Sequence, residues 1–296
     1  MMESRLEKWQ RLSGFWLKII AFISMTADHV GIFLWQQSTS ATDAFYISGY
    51  ILRCFGRLAF PLFVLFLVEG LIHSKNIGRY FLRLAVLLGL VMVAQIFLYY
   101  FNDPDIGLNP FIDLLVNGLF IFLLTRKSWK RFLAIIPLAF VIMVTVVQYL
   151  ELGPLNLDIL WLPPYLRMGY SLFGLLLTIA FYFSYKLAKQ VLIDKSIEIS
   201  ERDLATIPQY RGLVNILMAI FLFVLNIIIW LLSYASAGLD LYSANFQTWS
   251  IFAGLIIIVY NGKRGYDAKW FRIASYAYFP AHIALIYLLF ALIFGV

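Results

Sequence analysis

Residues 50–73, YILRCFGRLAFPLFVLFLVEGLIH, and residues 79–101, RYFLRLAVLLGLVMVAQIFLYYF, are two long apolar runs joined by a gap that carries Lys75 and Arg79, with Arg83 close behind. A helix crosses the hydrocarbon core of a bilayer with roughly 20 mainly apolar residues, so each run suffices for one span. The unit repeats outward in both directions, with apolar runs at 14–36, 50–73, 79–101, 108–125, 131–150, 166–187, 212–233, 247–261 and 274–295. The fourth and eighth are short enough to be re-entrant or broken. A composition of 62% hydrophobic and 13% charged residues over 296 leaves too little polar surface for a soluble domain. The expected fold is all-α, a polytopic integral membrane helix bundle of about nine spans, within about 9–11.

The gaps alternate in charge. One set holds Arg5, Lys8, Arg11 and Lys18; Lys75, Arg79 and Arg83; Arg126, Lys127, Lys130 and Arg131; Lys186, Lys189, Lys195, Arg202 and Arg211; and Lys263, Arg264, Lys269 and Arg272, which is 20 of the 23 lysines and arginines. The intervening gaps, around 37–49, 102–107, 151–165 and 234–246, hold acids, amides and small polar residues. Basic residues near span ends stay in the cytoplasm, so the sequence predicts a cytoplasmic amino terminus and an outer carboxyl terminus. The net charge of +7 follows from this sorting against an anionic inner leaflet, without nucleic acid as a partner. The expected location is the cytoplasmic membrane of a bacterium.

Cys54 is the single cysteine, which excludes an intrachain disulfide and a cysteine-built metal site; no metal is expected. The first run follows a basic segment as a secretory signal does, but its length, with Asp28 and His29 inside it, reads as a retained helix. The chain reads as one domain, 1–296, with halves 1–187 and 212–296 joined by a cytoplasmic amphipathic segment. Aromatic residues near the outer ends, such as Trp35, Tyr50 and Trp249, fit an interfacial belt and a sugar pocket alike.

Three arginines break the sorting. Arg53 and Arg57 lie in the outer half of the second run, four residues apart on one helix face, and Arg167 opens the sixth. An arginine within a span costs about 2.5–3.5 kcal/mol on insertion scales, so it faces protein or water and has a partner. The partner expected for Arg53 and Arg57 is Asp28, in the outer half of the first run. A buried ion pair that only locks two helices is the plain alternative. His29 can take a proton near neutral pH, as a general base or relay requires, or serve as a structural hydrogen bonder.

A second polar set lies at inner span ends: Glu69 and His73, followed by Lys75 and Arg79, and the basic turn Tyr260-Asn261-Gly262-Lys263-Arg264-Gly265. Such turns also serve as topology anchors. The glycines of this one allow close backbone approach to a ligand. In the last run, Tyr278, Pro280 and His282 sit together, and the proline removes a backbone hydrogen bond where a kink opens space.

These residues carry a resemblance. Leu17-Lys18-Ile19-Ile20-Ala21 through Asp28-His29-Val30-Gly31, then Gly56-Arg57-Leu58-Ala59-Phe60-Pro61-Leu62-Phe63, Glu69-Gly70 with His73, the 260–265 turn, and Phe279-Pro280-Ala281-His282 resemble the TraX family, in that family's order, over residues 17–292. The match is loose around Pro163-Pro164-Tyr165 and Met168-Gly169-Tyr170. The family is named for a conjugation protein that acetylates a pilin amino terminus. More distantly, the chain is similar to the membrane acyltransferase 3 and heparan-alpha-glucosaminide acetyltransferase-like group, which use cytoplasmic acyl-CoA and a histidine late in the first span, here His29.

The resemblance implies a membrane acetyltransferase that moves an acetyl group from acetyl-CoA to an amine or hydroxyl at the outer face: an exported peptide, an envelope glycan or a secreted small molecule. His73, Lys75, Arg79, Asn261, Lys263 and Arg264 are expected at the nucleotide, and His29, Asp28 and Arg57 at the chemistry. His29 acts as base or acetyl carrier, Asp28 orients it or balances its charge, and Arg57 pairs with Asp28 or stabilises the oxyanion. Arg53, Glu69, Tyr278 and His282 are supporting, with His282 in the tunnel wall. Two rival readings stand beside it: a proton-coupled secondary transporter built on Asp28, His29 and Arg57, and a noncatalytic envelope assembly partner.

Overall fold

The computed structural model describes residues 8–101, 109–152, 157, 159, 161–192, 201–204 and 207–294. In chain order its helices are α1 Gly14–Gln36, α2 Ala44–Gly56, α3 Ala59–His73, α4 Ile77–Phe101, α5 Pro110–Leu124, α6 Ile135–Leu152, α7 Ser171–Leu192, α8 Glu201–Leu204, α9 Pro208–Ala235, α10 Ala244–Gln247, α11 Ala253–Ile258 and α12 Lys269–Phe294, with 3₁₀ turns at Trp129–Ala134, Pro164–Leu166, Ala237–Leu239 and Thr248–Phe252. The chain is an all-α membrane protein. Seven stretches are long and apolar enough to cross a membrane, and Pro110–Leu124 and Ala244–Ile258 are shorter apolar helices. These two answer to the short fourth and eighth runs, and the eighth is broken into three helical pieces. Arg5, Lys195, most of the 186–211 segment's middle and the whole 102–107 gap lie outside the described residues.

The second span differs from its sequence reading. It starts at Ala44 rather than residue 50, so residues 44–49 of the expected 37–49 gap are helix, and it is interrupted at Arg57 and Leu58. Asp43 sets the earlier start: its carboxylate accepts from the backbone N–H of Phe45 at 2.9 Å and of Thr39 at 3.1 Å. The Phe45 bond caps the helix, and both bonds hold the Asp43 carboxyl below the usual carboxylate range. Pro61 explains the interruption. It has no N–H to offer the carbonyl four residues back, which belongs to Arg57, and its ring crowds that carbonyl. Arg57 therefore falls just ahead of the middle of the 30-residue stretch Ala44–His73.

The residues group into two compact units, one of Met1–Phe63, Ala188–Asn226 and Asn245–Val296, the other of Val64–Leu187 and Ile227–Ala244. In the first unit α1 and α2 form an antiparallel pair along a seam of small residues. A Cβ on Gly49 would lie 2.8 Å from the Gly31 carbonyl oxygen, one on Gly31 2.8 Å from the Gly49 carbonyl oxygen, and one on Gly56 2.7 Å from Asp28 Cα. Lipid tails are as apolar as leucine, so membrane helices gain by close backbone approach, which glycine permits. Gly49→Ala is expected to cost about 1–3 kcal/mol through overpacking. The check is the thermal unfolding midpoint in detergent, with Gly89→Ala, where a Cβ meets nothing within 4 Å, as the neutral control. Helix α12 runs along α1 in parallel, through Phe22 on Tyr278 and Phe33 on Phe290.

The second unit has a core of Ile121, Val141, Val144, Met168 and Leu175. At its centre the buried Asp113 carboxylate accepts from the backbone N–H of Gly169 at 2.6 Å and of Tyr170 at 3.1 Å, just ahead of α7. Ser171, at φ 34°, donates to Gln148 at 2.7 Å and lies 3.1 Å from the Tyr242 hydroxyl.

Candidate active site

Five side chains from α1, α2 with the residue that follows it, and α12 gather in the first unit: Asp28, His29, Arg53, Arg57 and His282. Asp28 and His29 project from the last third of α1, and the seam at Gly56 brings the end of α2 against Asp28. Arg57 Nη2 donates to both Asp28 carboxylate oxygens, at 3.0 and 3.2 Å. Arg53 Nε stands 3.9 Å from the same carboxylate. The Arg53 guanidinium lies over the rings of Trp35, 4.7 Å, and Phe246, 4.4 Å, so two aromatic faces hold it in place. Trp35 is thus tied to the ion pair rather than being merely interfacial.

Asp28 makes no hydrogen bond to His29, although the two are neighbours in sequence. The partner of His29 is His282: His29 Nδ1 and His282 Nε2 are 3.0 Å apart. His29 Nδ1 is also 2.9 Å from the Met25 carbonyl, and His282 Nδ1 is 2.9 Å from the Tyr278 carbonyl. Carbonyls only accept, so both Nδ1 atoms carry a proton. His282 Nε2 then carries a lone pair and shares the single His29 Nδ1–H with the Met25 carbonyl in a three-centre bond, and His29 Nε2 is left as the basic nitrogen of the pair. His282 is buried, 5% exposed, with its ring stacked on Tyr278 at 5.2 Å. The Tyr278 hydroxyl lies 2.6 Å from Thr26 Oγ1, which locks α12 to α1 one turn before the histidines. His282, read from sequence as tunnel wall, is the immediate neighbour of His29. Helix α12 carries it straight through Pro280.

The basic turn belongs to the same unit. Residues 12–15 and 259–264 pair by backbone: Leu12 N donates to Val259 O at 3.0 Å, Asn261 N to Leu12 O at 2.9 Å, Gly14 N to Lys263 O at 2.8 Å and Phe15 N to Arg264 O at 2.9 Å. Gly262 and Gly265 both have φ of 71°, where a side chain is strained. The close approach at Gly265 is made by Ser13. Asn261 accepts from Lys263 N through Oδ1 at 2.9 Å, shaping the turn. The Arg264 guanidinium, 76% exposed, is 3.3 Å from Asp267. The turn is therefore fixed to the first residues of α1. His29 lies fifteen residues farther along that helix, about 22 Å at 1.5 Å per residue.

Arg211, read as a member of a basic gap, is instead fully buried: Nε donates to Asn215 Oδ1 at 2.7 Å and the guanidinium lies 4.3 Å from the Tyr260 ring. Asn215 Nδ2 in turn donates to Tyr260 O at 2.7 Å, so Arg211 and Asn215 support the turn from beneath.

Glu69, His73, Lys75 and Arg79 belong to the second unit, and Asn261, Lys263 and Arg264 to the first. His73 Nε2 lies 3.1 Å from Glu69 Oε2, and the buried Tyr185 hydroxyl bonds Glu69 Oε1. Lys75 is exposed, and Arg79 donates its backbone N–H to Asn76 Oδ1 at the start of α4. Arg167 is held by Glu151 and by the Leu162 and Ile159 carbonyls, a structural role at the start of the sixth run.

Charged and titratable groups thus lie on stretches long and apolar enough to cross a membrane. Residues 13–199 match the family described as TraX protein. The chain belongs to the TraX family. Of the blocks that carry the TraX resemblance, the ion pair, His29, Glu69 and His73 fall inside the matched stretch, whereas the 260–265 turn and His282 lie beyond it. A curated relative, the probable fimbrial assembly protein FimC, serogroup H1, of Dichelobacter nodosus, is 39% identical over 72 residues, 24% of this chain. That match covers 27% of the relative's own length. No solved structure matches.

Proposed function

We propose that this TraX-family protein is a membrane acetyltransferase that moves an acetyl group from cytoplasmic acetyl-CoA to an amine or hydroxyl acceptor at the outer face of the cytoplasmic membrane. The observation that carries the reading is the first unit's layout. An exposed basic turn is fixed to the start of α1, and a histidine pair with a defined basic nitrogen sits about 22 Å along the same helix. That separation is on the scale of an extended pantetheine arm, with the nucleotide phosphates at Lys263 and Arg264 and the thioester at His29. Exposed Tyr266 and Trp270, joined by a 2.7 Å bond, offer aromatic faces beside the turn for a base to stack on.

In this mechanism His29 Nε2 takes the acceptor's proton as its oxygen or nitrogen attacks the thioester carbonyl. The tetrahedral intermediate collapses with cleavage of the C–S bond, and the imidazolium returns the proton to the leaving thiolate. His282 holds His29 in the required tautomer through Nε2. Asp28 and Arg57 balance each other's charge, and Arg57 is the cation assigned to the developing oxyanion. The fimbrial name of the relative favours an exported pilin-type amine as the acceptor. The same name also supports the second reading, a noncatalytic partner in fimbrial assembly.

Binding separates these. Calorimetry of the purified protein with acetyl-CoA, coenzyme A and a coenzyme lacking the 3′-phosphate is expected to show saturable binding. Arg264→Ala is expected to weaken it by about 1 kcal/mol, roughly fivefold in Kd, a value discounted for the exposure of Arg264. A folded wild type that binds none of the three refutes the coenzyme reading and favours the assembly role.

A further inference from the structure

We propose that the basic cavity at the C-terminal end of α5 binds the phosphodiester headgroup of an anionic phospholipid, a site separate from the histidine pair and from the nucleotide turn. The cavity measures about 550 Å³ and is lined by Phe122, Thr125, Arg126, Lys127, Ser128 and Lys130 among others. Four cations fall within six residues, Arg126 to Arg131, and among the described residues no carboxylate pairs with any of them.

Cations at a helix C-terminus have a simple alternative use, which is to cap the last carbonyls and offset the helix dipole. Here Thr125 does the capping. Its Oγ1 donates to Ile121 O at 2.9 Å and Phe122 O at 3.1 Å, and its backbone N–H to Ile121 O at 3.1 Å. Arg126, Lys127 and Lys130 make no side-chain bond to those carbonyls. The Arg126 guanidinium lies over the Phe122 ring at 3.8 Å, which holds it at the cavity wall, where its N–H donors can meet an anion. Ser128 Oγ accepts from Lys130 N at 3.4 Å, which leaves its O–H as a further donor.

The apolar residues next to the cavity in the chain indicate the occupant's second half. Trp129, Phe132, Ile135 and Ile136 are 67%, 66%, 67% and 64% exposed, on the turn and first residues of the span Trp129–Leu152. A membrane phospholipid fits both features, its phosphate among the cations and its acyl chains along Phe132, Ile135 and Ile136. A free phosphate or nucleotide uses the first alone. Basic pockets of this kind between or at the ends of spans recognise anionic headgroups by charge.

The test is native mass spectrometry of the full chain in detergent with phosphatidylglycerol or phosphatidylcholine added, with inorganic phosphate and coenzyme A as competitors. Expected is selective retention of phosphatidylglycerol that neither competitor displaces. Arg126→Gln/Lys127→Gln/Lys130→Gln reduces it at least about tenfold, and Lys263→Gln/Arg264→Gln leaves it unchanged. Lys127→Gln alone, with a smaller loss in the same direction, serves if the triple variant does not fold. Equal retention of the two lipids, wild-type retention by the Lys127→Gln or triple variant, or displacement by inorganic phosphate or coenzyme A overturns the proposal.

Discussion

His29→Gln is expected to lower acetyl transfer by about 10²–10⁴-fold while leaving acetyl-CoA binding within about twofold of wild type. Glutamine keeps a side-chain amide that can reach the Met25 carbonyl and His282, so the helix packing survives, but it cannot take a proton. In the proposed mechanism the loss falls on kcat, because that mechanism holds the coenzyme at the turn some 22 Å away along α1. His282→Gln is expected to produce a smaller loss and to shift the pH profile, since the nitrogen that fixes the tautomer of His29 is gone while the base is still present. The measurement is release of coenzyme A thiol and of labelled acetyl product from membranes supplied with candidate acceptor amines and glycans. Acid quenching adds a second readout: label trapped on wild-type protein and absent from His29→Gln identifies an acetyl-histidine. Undiminished transfer by a folded His29→Gln variant rules out His29 as base and as carrier.

The helices were readable because a bilayer imposes one length and one polarity on every span: among the described residues, seven of the apolar runs fall on stretches long enough to span, and the two short ones fall on shorter apolar helices. The ion pair was readable for a related reason. Arginine is costly inside a span, so Arg57 demanded an acid, and Asp28 was the acid within the neighbouring run. What sequence did not reveal depends on registers between distant segments. His29 and His282 are 253 residues apart, and only the parallel packing of α12 on α1 makes them partners. Tyr185 on Glu69 is of the same kind.

Of two residues that sequence did not single out, Asp113 carried a signal and Arg211 carried none. Asp113 is a carboxylate inside an apolar run, the same observation that singled out Asp28, and it organises the start of α7. Arg211 stood at the edge of a basic gap, where the positive-inside pattern accounts for a cation so completely that a buried role left no separate mark. The break at Arg57 was written in Pro61, four residues later, which takes away the donor for that carbonyl.

Arg57→Gln is expected to destabilise the protein by about 3 kcal/mol, near the lower end of the cost of stranding one partner of a buried pair. The side chains of Arg57 and Asp28 are 12% and 18% exposed, so the carboxylate left behind is largely out of water, and Arg53 at 3.9 Å offsets only part of the lost charge. The double variant Asp28→Asn/Arg57→Gln is expected to recover most of the thermal unfolding midpoint, because two neutral amides carry no uncompensated charge and can bond each other. Activity then decides what the pair is for. If it only fastens α1 to α2, the double variant transfers acetyl as well as wild type. If Arg57 also serves the developing oxyanion, the double variant is stable and yet about 10²-fold or more slower, the size of effect seen when one oxyanion donor is removed. The proposed mechanism expects the second result. A double variant that is both stable and fully active assigns the pair to helix packing alone and leaves the chemistry to the two histidines.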